Sequence, residues 1–290
     1  MGTSSKRKSK KHSLVNLVRL YITSCIDRLI NSKKIVEAER TFKEVQTYCV
    51  FIGYPRSGHT LVGALIDAHP NAIISNELNA LRYVRAGFNK WQIYSMILKK
   101  SEKFARKKGR RGPDYTYFVP NQWHGKYSRL VVIGDKKGDD SASSLATSDK
   151  LLEKLQKTIN SDIKFIHVIR NPYDNISTIS KRSKNDLRTS IERYFSRCEA
   201  VMKIKERVDP VAILDIRHES LIKDPREAVT QICDFLGLEP FEDYVKDCAS
   251  IIYESPHKSR HKAEWTDELI ALVAQRMSRY PFLEGYSFEE

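Results

Sequence analysis

Short, almost wholly apolar runs alternating with longer helical patterns predict one α/β domain, with a central parallel β-sheet and helices on both faces. Three observations carry that expectation. The runs at 48–53, 72–75, 130–134, 164–170 and 211–216 are apolar on consecutive positions, as strands buried on both faces require. Helical patterns follow at about 60–69, 148–159, 173–182, 186–207, 225–236 and 266–278. A glycine-bearing loop joins the first run to the first of those helices.

Taken in order, residues 1–12 carry Lys6, Arg7, Lys8, Lys10 and Lys11 with no acid and are expected to be a disordered basic tail. The domain then occupies 13–290. Leu14, Leu17, Val18, Tyr21, Ile22, Cys25 and Leu29 recur near helical spacing and predict an amphipathic helix packed on its own domain. Arg19, Asp27 and Arg28 interrupt that stretch, so it reads neither as a membrane span nor as a signal peptide. The stretch 86–129, with its basic cluster and Arg-Gly-Pro turn, reads as an insertion or lid rather than a strand–helix unit. Two later helices have clear starts: Asp224 before Pro225, and Thr266.

A net charge of +14 first suggests a polyanionic partner. Its distribution argues otherwise, because the tail contributes +5 and residues 99–111 contribute +7. The rest is nearly neutral. Neither basic stretch interleaves aromatics suited to base stacking, so nucleic acid is not expected as a partner, while peripheral membrane contact through them stays open. Hydrophobic residues at 41% exclude global disorder. The five cysteines are scattered without a Cys-x-x-Cys pair, which supports neither zinc nor a disulfide framework and suits a reducing compartment. A soluble cytoplasmic chain is the expectation. The sequence is silent on oligomeric state.

The most informative segment runs from Gly53 through Tyr54, Pro55, Arg56, Ser57 and Gly58 to His59 and Thr60. Two glycines permit a tight turn whose N–H groups converge, and the helix that follows adds the positive end of its dipole. With two hydroxyls and the Arg56 guanidinium, the segment is an anion cradle. It nearly fits the nucleotide P-loop, Gly-x4-Gly-Lys-[Ser/Thr], but His59 replaces the lysine. The only candidate for a metal-binding acid after a later strand is Asp135.

The run from Tyr54 to Leu61 resembles the 5′-phosphosulfate loop of sulfotransferases that use 3′-phosphoadenosine 5′-phosphosulfate (PAPS), where an Arg or Lys is followed by Ser-Gly-Thr-Thr. The resemblance implies Arg56, Ser57, Gly58, His59 and Thr60 as contacts of the phosphosulfate. His59 stands where Thr is usual, and its ring either donates to the sulfonate when protonated or fills space. Arg170 ends the fourth apolar run and is followed by Asn171, Pro172, Tyr173 and Asp174. A cation there needs an anionic partner, either a carboxylate such as Asp174 or a ligand. The family carries a similar segment with a Ser eight residues after the Arg, a pair that holds the 3′-phosphate. Here that position is Thr178, with Ser177 adjacent.

Further matches bring the resemblance to roughly residues 48–286. His218, Glu219, Leu221, Asp224 and Pro225, then Phe235, Leu236 and Gly237, resemble the family's Tyr-Glu-Asp-Leu, Asp-Pro and Phe-Leu-Gly segments and imply an adenine-side contact for His218. Lys258 and Arg260, before Trp265, occupy the place of the late basic loop that closes on the 3′-phosphate. Glu77, after the second run, matches the catalytic base of tyrosylprotein sulfotransferases in its spacing from Arg56, and this is where the sequence is nearest to that branch. Lys136 matches a lysine near the transferring sulfonate.

These residues imply a sulfotransferase that moves a sulfonate from PAPS to an acceptor hydroxyl of a carbohydrate, lipid, small molecule or tyrosine. Glu77, Arg56 and Lys136 are its catalytic residues, and no metal is required. A carboxyl group with an ordinary pKa of about 4.3 is a weak base for an alcohol, so Glu77 is expected to be partly buried when the acceptor binds. His124 is an alternative base from the variable region, and residues 86–129 would form the acceptor side. The alternatives are a P-loop kinase using ATP–Mg2+ and a basic nucleic-acid- or membrane-binding module.

Overall fold

The apolar runs become five parallel strands of one sheet in the computed structural model, which describes residues 32–108, 110–112 and 115–289. The basic tail and the amphipathic stretch 14–29 lie outside the described residues. In chain order the strands are β1 (Thr47–Ile52), β2 (Ala72–Asn76), β5 (Val132–Lys136), β6 (Asp162–Ile169) and β7 (Ile213–Arg217). They are ordered β2-β5-β1-β6-β7 across the sheet. A separate antiparallel pair is formed by β3 (Arg110–Gly112) and β4 (Tyr115–Thr116). β1, β2 and β5 are buried at every position, which is why their sequences lack polar alternation.

The helices are α1 (Ser32–Phe42), α2 (His59–Asp67), α3 (Ala80–Arg85), α4 (Lys90–Ala105), α5 (Gly138–Ala146) and α6 (Asp149–Ile159). They continue with α7 (Pro172–Ser183), α8 (Leu187–Lys205), α9 (His218–Lys223), α10 (Pro225–Leu236), α11 (Glu242–Ser250) and α12 (Asp267–Met277). Strand side chains alternate between two cores. Tyr48, Val50 and Ile52 pack with residues of α4 to α8 and α12, whereas Cys49 and Phe51 pack with residues of α2, α10 and α11. The two expected caps are made: Asp224 Oδ1 accepts from the Glu227 amide at 3.1 Å, and Thr266 Oγ1 from the Leu269 amide at 3.3 Å.

The stretch 86–129 is partly helical. Its first half is α4, which buries Ile93, Tyr94 and Ile97 in the core and ties Ser101 Oγ to Asp67 Oδ1 at 2.6 Å. The lysine-rich sequence disguised one apolar stripe on an otherwise charged helix.

The turn from β1 into α2 is set by its glycines and by the histidine beneath it. Gly53 and Gly58 have φ of +137° and +109°, and a Cβ on Gly53 would lie 2.9 Å from the His59 ring. That ring is buried edge-on against Phe51, with Nε2 donating to the Ile52 carbonyl at 3.0 Å and Nδ1 facing Ser57 Oγ at 3.2 Å. Burial, with His167 and Lys136 nearby, lowers its pKa to about 3. Below the ordinary value near 6.5 the unfolded chain takes up a proton here and the folded ring does not, so stability falls as pH drops toward 3. Urea denaturation at pH 7 and pH 5 should show that loss, and His59→Gln should reduce it. An equal loss in the variant would mean that the ring is not held neutral.

Candidate functional site

The side chains singled out in the sequence gather at one edge, the carboxyl ends of the parallel strands, where α/β sheets place their ligands. β1 leads into the 53–58 loop, β2 into Glu77, β5 ends in Lys136, β6 leads into Arg170 and β7 into His218. Their common edge follows from the topology, because all five strands run the same way.

At the loop, Arg56 is exposed and left-handed (φ +72°), with its side chain outside the core. Ser57 is fully buried, and its hydroxyl reaches the Tyr54 carbonyl at 3.2 Å. The helix N-terminus at His59 and Thr60 presents amides that have no intrahelical acceptor. The His59 ring turns inward, with Nε2 on the Ile52 carbonyl and Nδ1 on Ser57 Oγ. His218 stands on the other side: its Cδ2 would be 2.7 Å from a Cβ on Gly58, and its buried Nδ1 has no hydrogen-bond partner among the described residues. Burial and the nearby Arg170 and His257 lower its pKa to about 4.

Arg170 joins this loop to a second cluster. Its Nη1 donates to the Arg56 carbonyl at 3.3 Å and to Thr178 Oγ1 at 3.4 Å; its Nη2 donates to the His257 carbonyl at 2.6 Å and to Ser259 Oγ at 3.3 Å. Thr178 and Ser259 meet at 3.2 Å between their hydroxyls. Ser177 is occupied elsewhere, donating to the Tyr173 carbonyl at 2.7 Å and accepting from Trp265 Nε1 at 2.9 Å. Arg260, expected beside Lys258, instead turns inward to Asp174, with Nη1 3.3 Å from Oδ2 and its backbone amide 2.9 Å from Oδ1. The reason is charge pairing with buried Asp174, whose carboxylate also feels the nearby Arg170.

A cavity of about 1230 Å3 opens in front of Arg170 and Thr178, and Lys181, Arg182, Lys258, Ser259 and Lys262 also line it. Ser259 and Arg182 were missed from the sequence. Arg182 lies four residues beyond Thr178, on the same face of α7, and that spacing was the available signal.

The third cluster lies at the ends of β2 and β5. Lys136 Nζ, buried to 4% exposure, donates to Glu77 Oε1 at 2.9 Å and to Thr60 Oγ1 at 3.0 Å. Glu77 is about one-third exposed and borders a smaller cavity of about 250 Å3 lined by Asn76, Lys100, Lys103, Phe104 and Lys107. Asp135 does not face a ligand: Ser75 Oγ and the Leu78 amide donate to Oδ1, and the Ala80 amide donates to Oδ2. His124 is buried away from the edge, accepting from the Val119 amide at 2.8 Å beside Asp67.

Comparison with known proteins bears on what this edge is for. Protein-tyrosine sulfotransferase A of Caenorhabditis elegans is 23% identical over 220 residues, covering 72% of this chain and 54% of its own. The chain therefore spans about half the length of that curated relative. Two solved structures share the fold at low identity. The sulfotransferase domain of the Synechococcus PCC 7002 olefin synthase superposes with a TM-score of 0.51 at 16% identity, over 80% of this chain and 94% of that one. A sulfotransferase of Mycobacterium avium does so with a TM-score of 0.51 at 11% identity, over 91% and 81%. Residues 50–243, more than half the chain and including the 53–58 loop, Glu77, Lys136, Arg170, Thr178 and His218, match the sulfotransferase family model, and the chain belongs to that family.

Proposed function

We propose that the enzyme transfers a sulfonate from PAPS to an acceptor hydroxyl, with Glu77 as the base. One observation carries the donor assignment: two anion cradles on separate strand–helix junctions, tied together by the hydrogen bond from Arg170 Nη1 to the Arg56 carbonyl. Two such cradles suit a nucleotide phosphorylated at both ends of its ribose. The orphaned His218 Nδ1 beside Gly58 and the basic cavity at Arg170 also fit a bound nucleotide.

In this reading the loop amides, Arg56 and Thr60 hold the 5′-phosphosulfate, while Arg170, Thr178, Ser259 and Lys258 hold the 3′-phosphate. The bound donor supplies an activated sulfonate on a mixed anhydride. Lys136, placed between Thr60 and Glu77, stabilises charge that develops between donor and acceptor. Glu77 takes the proton of the acceptor hydroxyl. Phe104 and the three lysines beside Glu77 offer the acceptor an apolar wall and positive charge, which favours an acceptor that itself bears negative charge.

The rival ATP–Mg2+ reading has no lysine at position 59, and Asp135 is already committed to two amides and a hydroxyl. Calorimetric titration with 3′,5′-adenosine bisphosphate, ATP–Mg2+ and an oligonucleotide separates the readings. Micromolar binding of the bisphosphate is expected, and Arg170→Ala should weaken it about 10- to 100-fold, the worth of charge-assisted hydrogen bonds. Preference for ATP–Mg2+ or the oligonucleotide, or indifference to Arg170→Ala, would contradict the donor assignment. For the base, Glu77→Gln should lower turnover of PAPS with a hydroxyl acceptor by about 100-fold or more while bisphosphate affinity holds. Unchanged turnover would place the base elsewhere.

A further inference from the structure

We infer that Asp135 is the positioning residue of Glu77, holding the base in register through the backbone on either side of it; this rests on Glu77 being the base. Glu77 and Asn79 both have left-handed backbones, with φ of +62° and +63°. Two such residues within three positions cost conformational energy and persist only where their surroundings over-determine them. The Asp135 carboxylate supplies that constraint. Its Oδ1 accepts from Ser75 Oγ at 2.7 Å and from the Leu78 amide at 2.9 Å, and its Oδ2 accepts from the Ala80 amide at 2.8 Å. The three donors therefore bracket Glu77 on both sides along the chain. The Glu77 amide itself donates to the Lys136 carbonyl at 3.2 Å.

Asp135 and Lys136 are consecutive residues at the end of β5, and strand geometry sends their side chains to opposite faces. Asp135 grips the backbone of the 77–80 turn, while Lys136 grips the Glu77 carboxylate. Two neighbouring residues thus fix one base by its main chain and by its side chain. Asp135 is 5% exposed. Burial pushes its pKa up, and the Ala80 amide, Ser75 hydroxyl, Leu78 amide and Lys136 oppose that rise. The charged groups around the turn are Lys136 and Lys137 from the end of β5, Asp140 from α5, which accepts from Asn79 Nδ2 at 3.2 Å, and Lys100, Lys103 and Lys107 across the smaller cavity.

Asp135→Asn keeps the shape but offers one acceptor oxygen where two are used, so an NH2 group must face an amide N–H. The turn then relaxes, and a displacement of about 1 Å at the base costs roughly 100-fold in rate. The expected result is a kcat lowered 10- to 100-fold, with acceptor KM and 3′,5′-adenosine bisphosphate affinity within about twofold of wild type. Amide hydrogen exchange at Leu78 and Ala80 should accelerate. In a Glu77→Gln background the same substitution should have almost no further effect on kcat, because a positioning residue acts only through the group it positions. If Asp135→Asn does not fold, Ser75→Ala tests the same carboxylate by removing one donor, and about a threefold or larger loss of kcat at unchanged bisphosphate affinity is expected. Unchanged kcat in a folded variant, a full loss in the Glu77→Gln background, or a parallel fall in nucleotide affinity overturns the inference. A Glu77→Gln enzyme with normal kcat overturns the base assignment instead, so the two failures are distinguishable.

Discussion

The site depends on one buried ammonium. Lys136 lies at the end of a strand that is buried along its whole length, and a charge there must be paired. Its partners include the Thr60 hydroxyl in the first turn of α2 and the Glu77 carboxylate on the neighbouring strand's exit. Pairing the charge therefore draws the start of α2 and the carboxylate to within one side chain of each other. The parallel order β2-β5-β1 makes this possible, because it sets the exits of β2 and β1 on either side of β5.

The same economy operates on the opposite flank. β6 is the other neighbour of β1, and its exit delivers Arg170 to the Arg56 carbonyl. Asp174 follows within one helical turn and pairs with Arg260, with the charge of Arg170 also acting on it. Arg260 is thereby held inward, while the Arg170 guanidinium reaches hydroxyls at the edge of the basic cavity.

Much of this was legible in the sequence, for identifiable reasons. Buried parallel strands are mostly apolar, so the apolar stretches of β1, β2, β5 and β6 stood out, and the glycines at 53 and 58 marked a turn with positive φ. Helix α4 was hidden because its buried stripe of Ile93, Tyr94 and Ile97 is set among charged residues. Helix α5 was hidden because its Gly-Asp-Asp-Ser start reads as a loop. The direction of a side chain was the least legible property. His59 opens α2 and Arg260 lies in the late basic segment, yet both side chains turn inward, one to the Ile52 carbonyl and one to a carboxylate several elements away in the chain. The Arg260 partner is tertiary and leaves no local trace. The commitment of Asp135 to the 77–80 turn is of the same kind, since the donors lie 55 to 60 residues away.

What unites these clusters is the claim that two anion cradles act on one nucleotide. Calorimetry comparing 3′,5′-adenosine bisphosphate with 5′-AMP tests it most directly, because the two ligands differ only in the phosphate that the Arg170 cradle would hold. The account requires the bisphosphate to bind at least about 30-fold more tightly, the worth of a charge-assisted contact of roughly 2 kcal/mol. Equal affinity for the two would contradict it.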